Sequence, residues 1–532
     1  MVTHVVDAVV IGAGPNGLVA ANALGDAGWD VLVLEAQEEV GGAVRSAEVT
    51  APGFVTDLFS AFYPLAAASP VIRDLHLDSH GLEWVRAPDV LAHTLEDGRT
   101  AVLRHQAEDT AAGLDEFAEG DGAAWLGLVE EWQRLRDPLL DALFTPFPPI
   151  RPGVRLLRTL GTRGTLDLTR LGLSSVRRLG QEVFAGDGGP LLLTGNALHS
   201  DLSPDAAGSA LFGWLLAMLG QDVGFPVPRG GAGRLAGALR SRAESAGVQF
   251  RTGVEVTSIQ IVGDRAVGVR CADGTSVRCR RAVVADVSAP RLYTHLVGDA
   301  LLPDRLRRDL QRCFQWDPST IKLNWALDRP VPWNDPRAAG AGTVHLGVGV
   351  DGFVDFAADL SIGRDPDQPF LLLGQMTTAD PERSPAGTES AWAYTHVPHA
   401  TDWRGERLDA HVQRMEDAVE RVASGFGACV VARHVQSPGE LEGADANLVA
   451  GSINGGTSAL HQQLVFRPTP GLGRPETPFV GLYLASASAH PGGGVHGACG
   501  WNAALVALRA AGPTGTVRRA LARTAWRRVL PP

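Results

Sequence analysis

Lysine is all but missing from this 532-residue chain: Lys322 is the only one, and every other basic residue is arginine. A GC-rich genome accounts for the bias, which leaves the surviving lysine as a position to follow. Cysteine is scarce too. The five present (Cys271, Cys279, Cys313, Cys429, Cys499) are odd in number and never spaced CxxC. That excludes a disulfide framework, a zinc cluster and a dithiol redox pair, so no metal is expected, and it fits a reducing cytoplasm. Basic charge is in deficit, 47 residues against 59 acidic for a net −12, so nucleic-acid binding by the whole chain is not expected. Long apolar runs are lacking: Ala206–Gln221 falls short of the ~20 residues of a membrane-spanning helix. The N-terminal apolar stretch has no basic flank and is broken by glycines, unlike a signal peptide. A soluble, cytoplasmic protein of two to four domains is expected, at roughly 100–200 residues per domain.

What is present begins at once. Val5–Ile11 reads as a buried parallel strand, followed by Gly12-Ala13-Gly14-Pro15-Asn16-Gly17 and an apolar helix over 18–24. A stop at Gly28 and a second strand over 30–34, ending at Glu35, complete the unit. Strand, glycine turn, helix, strand and acid form the dinucleotide fingerprint in its required context. Gly12 gives the tight turn, Gly14 lets a pyrophosphate approach the backbone, and Gly17 lets helix pack on strand. The helix N-terminus favours the anion, and Glu35 can accept from a ribose. Just beyond, in Val40-Gly41-Gly42-Ala43-Val44-Arg45, the glycine pair resembles the motif with which FAD enzymes continue the flavin site. Gly41, Gly42 and Arg45 are therefore expected at FAD.

Two later segments carry related signals. Pro228-Arg229-Gly230-Gly231-Ala232-Gly233 opens a helix to about residue 246. Strands are expected over 267–271 and 276–280, joined by Ala272-Asp273-Gly274, with a separate strand over 281–286. The order matches the segment that covers the adenine in FAD domains, where Val254 or Val256 would offer main-chain bonds to the base. Near the C-terminus a strand over 481–487 runs into His490-Pro491-Gly492-Gly493-Gly494-Val495-His496-Gly497 and a helix from Ala498. Three glycines before a helix make a second anion- or ring-binding turn, able to aim N–H groups at a flavin.

Together these segments resemble phytoene desaturases, carotenoid isomerases and their relatives in the flavin amine oxidase superfamily. The likeness is closest to phytoene desaturase-like oxidoreductases with PxGG(x)G and GLYL…HPGGGVxG segments, here Pro228–Gly233 and Gly481–Gly497. It is strongest at both ends and weakest over about 90–190; Ser486 stands where many relatives have glycine. The resemblance implies FAD and an α/β fold: a discontinuous Rossmann-like FAD-binding domain (1–75, 225–290, 477–532) with an α+β substrate domain on a mixed sheet (76–224, 291–476). It implies transfer of a hydride from a C–H bond of a largely apolar or biosynthetic small molecule to flavin N5, with oxygen, a quinone or another electron acceptor closing the cycle. A redox-neutral isomerase and a non-catalytic escort protein, of the Rab GDP-dissociation inhibitor kind, are the alternatives. No second GxGxxG offers a site for NADPH.

Candidate chemical residues are few. Lys322 lies in the alternating strand Thr320–Leu327; some flavin amine oxidases hold such a lysine through water to flavin N5, a task an arginine fork would not fill. His490 and His496 flank the triple glycine, and His199 is a weaker candidate. Asn454, Gly455, Gly456 and Arg467 resemble the segment that faces flavin and substrate. No tight acid–base pair is legible. The apolar run 206–220 reads as a core helix or a cavity wall. The arginine-rich stretches 151–178 and 518–528, the latter beside Trp526, read as solvated helical faces or as surfaces for an anionic membrane.

Overall fold

The computed structural model describes residues 4–399 and 401–515; the arginine-rich stretch 518–528 lies outside them. The strands that build its sheets are, in chain order, β1 His4–Ile11, β2 Val31–Leu34, β3 Asp89–Thr94, β4 Thr100–Leu103, β5 Gln249–Arg251, β6 Val256–Val262, β7 Arg265–Cys271, β8 Ser276–Ala285, β9 Ser319–Leu327, β10 Ala341–Leu346, β11 Leu371–Gln375, β12 Glu389–Val397, β13 Val430–Gln436 and β14 Leu482–Leu484. The helices used below are α1 Pro15–Asp26, α2 Asp121–Phe144, α3 Ile150–Leu173, α4 Ser209–Val223, α5 Gly405–Val422, α6 Pro438–Ala444 and α7 Ala498–Ala511.

One sheet runs β6-β7-β8-β1-β2-β5, with β14 added to β8. Its strands β5, β2, β1, β8 and β14 are parallel. Continuous apolar runs such as Val31–Leu34 suit strands covered on both faces. The expected strands 276–280 and 281–286 are one strand, β8. Its first half pairs antiparallel with β7 and its apolar second half parallel with β14, while β1 runs alongside both. The two halves differ in pattern because they have different neighbours, not because the chain turns between them.

A second seven-stranded sheet runs β13-β9-β12-β11-β10-β3-β4 and is antiparallel except between β10 and β3. The expected α/β architecture with a second, mixed sheet is therefore present. Register sets Lys322 opposite Tyr394, Thr320 opposite His396, Asn324 opposite Trp392, and His93 opposite His345. Opposed residues share a face, so one face of this sheet is polar and aromatic. The alternate residues Ile321, Leu323, Trp325, Ala391 and Ala393 pack with Val412, Met415 and Val419 of α5 in a wholly apolar core. The alternation over 320–327 is real, but every residue of β9 is buried: the polar face is covered by the rest of the chain rather than by water. The apolar run expected over 206–220 begins as a helix only at Ser209, after Gly208 at φ +91°. Trp214 packs edge-on against Trp132 of α2 at 5.7 Å, which makes α4 a core helix.

Candidate functional site

Ile11, Leu34, Ala285 and Leu484 stand in one row across the first sheet. Each is followed by a turn residue: Gly12, Glu35, Asp286 and Ala485. Three distant parts of the sequence thus meet at the carboxyl ends of parallel strands, where open α/β sheets bind ligands. A Cβ on Gly17 would lie 2.2 Å from the Gly12 carbonyl oxygen, so only glycine lets α1 approach β1 this closely. Pro15 occupies the first turn of α1. Glu35 is buried; its Oε2 accepts from Ala13 N–H (2.6 Å) and its Oε1 from Gln37 N–H (2.8 Å), and burial raises its carboxyl pKa. The cleft is lined by Gly12, Gly14, Glu35, Gly42, Val256 and Asp445. Val254 N–H is bonded to the Glu35 carbonyl at 2.8 Å, which leaves its own carbonyl as the group it could offer a base. The Asn16 side chain turns to α7, where Oδ1 accepts from Gly500 N–H at 3.4 Å, so Asn16 offers the cleft only main chain. Arg45 donates to the carbonyls of Gly42 (2.9 Å) and Ala444 (2.7 Å) and holds the end of α6 over the turn. That contact delivers Asp445 to the cleft. Burial pushes Asp286 up to about 8, and Asp445 and Glu35 add to the shift. Neither Asp286 nor Asp445 is legible as a site residue, since each reaches the cleft only through pairing elsewhere in the chain.

The triple glycine lies beside this cleft because β14 pairs with β8. Gly492 and Gly494 have φ of +119° and +102°. A Cβ on Gly493 would lie 2.6 Å from Asn454 Oδ1, so the 454–456 loop is packed directly on the turn. Ser488 Oγ donates to the Gly455 carbonyl at 2.6 Å, and Val495 rests half-buried on the core. Four expectations change here. Arg467 is wholly buried and donates to the carbonyls of Asn454 (2.8 Å), Thr457 (2.7 Å) and Ala487 (2.7 Å); its fork is filled by main chain, which makes it a clamp between loops rather than a substrate ligand. Gly456 likewise contributes to this clamp through its carbonyl, at 3.5 Å. His496 Nδ1 accepts from Ala498 N–H at 3.0 Å and so caps α7. His490 packs against Phe147 at 5.8 Å. Burial pushes both imidazoles down to about 4, which holds them neutral and makes them poor bases near pH 7.

The polar face of the second sheet supplies what the histidines do not. Lys322 is 3% exposed. Its Nζ donates to the carbonyls of Asp57 and, at 3.1 Å, Phe59, and sits 5.1 Å from the Trp392 ring centroid. The 57–60 segment is itself bonded to the second glycine motif, Leu58 N–H to Arg45 and Ser60 Oγ to Ala43. Burial lowers the Lys322 pKa to about 7, against the opposing charge of Asp57. On the same face His396 Nε2 lies 2.7 Å from Asp201 Oδ1, both fully buried. Burial opposes charge on this imidazole, but Asp201 outweighs it and raises the pKa. Asn454 Nδ2 donates to Asp201 Oδ2 (2.9 Å) and Asp317 Oδ2 (3.2 Å). A tight buried carboxylate–imidazole pair therefore exists where none was expected. Its members are 195 residues apart (396 − 201) and Asp201 has φ +58°. The legible trace was the Trp392-Tyr394-His396 alternation. His199 joins the same face, its Nε2 2.9 Å from that of His345, and burial with the neighbouring His396 pushes its imidazole down to about 3.

Residues 16–504 match the family of flavin containing amine oxidoreductases. The chain belongs to that family. It is 30% identical to the mouse protein named pyridine nucleotide-disulfide oxidoreductase domain-containing protein 2, over 94% of this chain and 93% of that protein. A limonene dehydrogenase component from Castellaniella defragrans is 26% identical over 94% and 93%, and phytoene dehydrogenase of Streptomyces griseus 26% over 81% and 82%. Among solved structures, an oxidoreductase from Methanosarcina mazei superposes with a TM-score of 0.63 at 17% identity, covering 94% of this chain and 99% of that one. Putrescine oxidase bound to putrescine gives 0.61 at 17%, covering 96% and 99%. The cofactor of this flavoprotein is FAD, and the cleft fits it. The glycine cradle admits no side chain, the α1 N-terminus would favour an anion, and Glu35 at the end of β2 would be the group to accept from a ribose. Asp286, largely neutral below about pH 8, brings no full charge to the pyrophosphate.

Proposed function

We propose that this flavoprotein dehydrogenates a largely apolar small molecule, using the first sheet with its helices to hold FAD and the second to hold substrate. The carrying observation is Lys322: a buried amine with a pKa near 7 on the aromatic face, fastened to the segment bonded to the glycine motif. FAD, when bound, supplies the hydride acceptor. Neutral Lys322 spends its two N–H bonds on the carbonyls of Asp57 and Phe59 and keeps a lone pair. That lone pair takes the proton, from a neighbouring C–H when C=C forms or from the N–H when C=N forms, while the hydride leaves the first C–H bond, so hydride and proton leave separately. A base with a pKa near the working pH is suited to this. Trp392, Tyr394 and Phe62 give the face its apolar character. The likeness to limonene and phytoene dehydrogenases supports a hydrocarbon-rich substrate, and to putrescine oxidase, through the fold alone, an amine as the other class.

The test is anaerobic bleaching of the purified holoprotein with terpenoid, carotenoid and amine panels, with product mass recorded. Loss of two hydrogens is expected. A product of unchanged mass would replace this reading with isomerisation. Purified protein that neither carries flavin nor takes up FAD would replace it with an escort role.

A further inference from the structure

We infer that α3 is a docking surface for an anionic lipid bilayer. Only Leu160 and Gly164 of its 24 residues are buried. Ile150, Val154, Leu157, Leu166 and Leu173 are exposed, by 71, 41, 52, 64 and 65%. The spacings 150/154/157 and 166/173 put these side chains in stripes along the helix, one on each side of a break at Gly161, where φ is +62°. Arginine follows each member of the first stripe (Arg151, Arg155, Arg158), and Arg163 and Arg170 precede the second by three positions. An apolar stripe rimmed by arginine is the pattern of a helix lying in a membrane interface, where long basic side chains rise to the headgroups.

Charge selects the lipid. Residues 150–173 hold five arginines against Asp167 alone, in a chain of net −12. Arg155, Arg163 and Arg170 pair with Asp141, Asp167 and Glu182 at 2.7, 3.1 and 2.6 Å, all exposed. Such pairs are held weakly and can be exchanged for lipid phosphates; Arg151 and Arg158 have no ion pair among the described residues. The surface is also continuous with the site. Phe144 and Phe147, just before α3, pack on His496 and His490 at 5.3 and 5.8 Å. Exposed Leu464, Val465 and Phe466 lead directly into Arg467. The segment before α3 thus meets the two histidines that flank the triple glycine, and 464–466 lead to the arginine packed on Gly492, which suits a substrate that arrives from the bilayer. The docking itself does not depend on the flavin chemistry, so its failure and the failure of the proposed function are distinguishable.

The experiment is flotation of the FAD-bound full chain with vesicles of phosphatidylglycerol and phosphatidylcholine, one to three, against phosphatidylcholine alone. Salt is held near 0.15 M, where screening extends about 8 Å. Binding to the anionic vesicles alone is expected. Arg151→Gln with Arg158→Gln should weaken it by about 25-fold, at about fivefold per surface arginine. Leu157→Ser with Leu166→Ser should weaken it at least tenfold. Flavin absorbance and melting temperature, unchanged in both variants, show that they fold. The inference is overturned by absence of binding, by equal binding to neutral vesicles, or by binding that survives both variants and is lost on removal of residues 516–532. A dimer that dissociates on the same substitutions would assign the face to a second copy instead, and would equally overturn it.

Discussion

Three carboxyl groups, Glu35, Asp286 and Asp445, line the cleft at the glycine turn, and their protonation decides how well an anion such as the FAD pyrophosphate would be tolerated there. Asp286 titrates near 8 in the fold and about 3.9 when unfolded. The folded state therefore holds a proton that the unfolded state has released. Its contribution to stability falls as pH rises from about 4 to about 8, and is level beyond. Asp286→Asn should raise the melting temperature at pH 8. FAD affinity of the parent should weaken by about tenfold between pH 7 and pH 9 as the carboxylate forms beside the phosphates, and that of Asp286→Asn should stay flat; fluorescence titration of FAD into apoprotein reads both. Lys322 works in the opposite sense. Its pKa is depressed, so the neutral amine appears as pH rises through about 7, and bleaching should accelerate over that range. Lys322→Met should remove this limb and slow bleaching by about 10²–10⁴-fold, and Lys322→Arg should not restore it. The Asp201–His396 pair is a third case. Asp201→Leu alone should cost about 3–5 kcal/mol by leaving a buried partner uncompensated, while Asp201→Leu with His396→Leu should cost less than either single change. Denaturant unfolding of the three variants measures this.

At the scale of elements, the best-read parts are those whose pattern is local. β1, the glycine turn and α1 follow from a short β-branched run, a GxGxxG spacing and Pro15 in the first turn. The triple glycine and α7 follow the same logic. Elements defined by their neighbours are read less well. β8 looks like two strands because its halves pair with different partners. β9 is legible as an alternating strand, but period two reveals that its faces differ, not what covers them. Gly493 joins these two kinds of information: its glycine identity is visible, its neighbour is not. Gly493→Ala should place a methyl 2.6 Å from Asn454 Oδ1, push the 454–456 loop off the turn and lower FAD occupancy, read as the ratio of flavin to protein absorbance. Gly233→Ala, whose nearest neighbour would lie at 3.6 Å, should be close to parent.

Across the whole molecule, one apolar cluster runs from Val10, Val33 and Val284 of the first sheet to Leu91 and Leu103 of the second, and buried polar contacts add to it. Lys322 reaches from the second sheet to carbonyls of 57–59. Arg383, fully buried, pairs with Asp57 and Asp380 at 3.0 Å each. Arg467 ties 454–457 to 487. Arg467→Met should leave the carbonyls of Asn454, Thr457 and Ala487 unpaired, at about 1–3 kcal/mol each, and a loss of about 3 kcal/mol or more should appear as a lower urea midpoint. Among the described residues no helix is long and apolar enough to cross a membrane.

The sequence by itself determined the glycine turn between β1 and α1, the acid that follows β2, the second glycine motif and the helix behind the triple glycine. Each of these is set by backbone conformation and by spacing within one short segment, which residue order records directly. Tertiary structure alone decided that Asp286 and Asp445 share the cleft with Glu35. It also decided that Arg467 and His496 serve the main chain, and that Asp201 meets His396 across 195 positions (396 − 201). Those outcomes depend on which strands pair and in what register. A one-residue slip in β9 or β12 would turn Lys322 and His396 into the apolar core, and nothing in the order of residues near either position states which partner strand holds it in place.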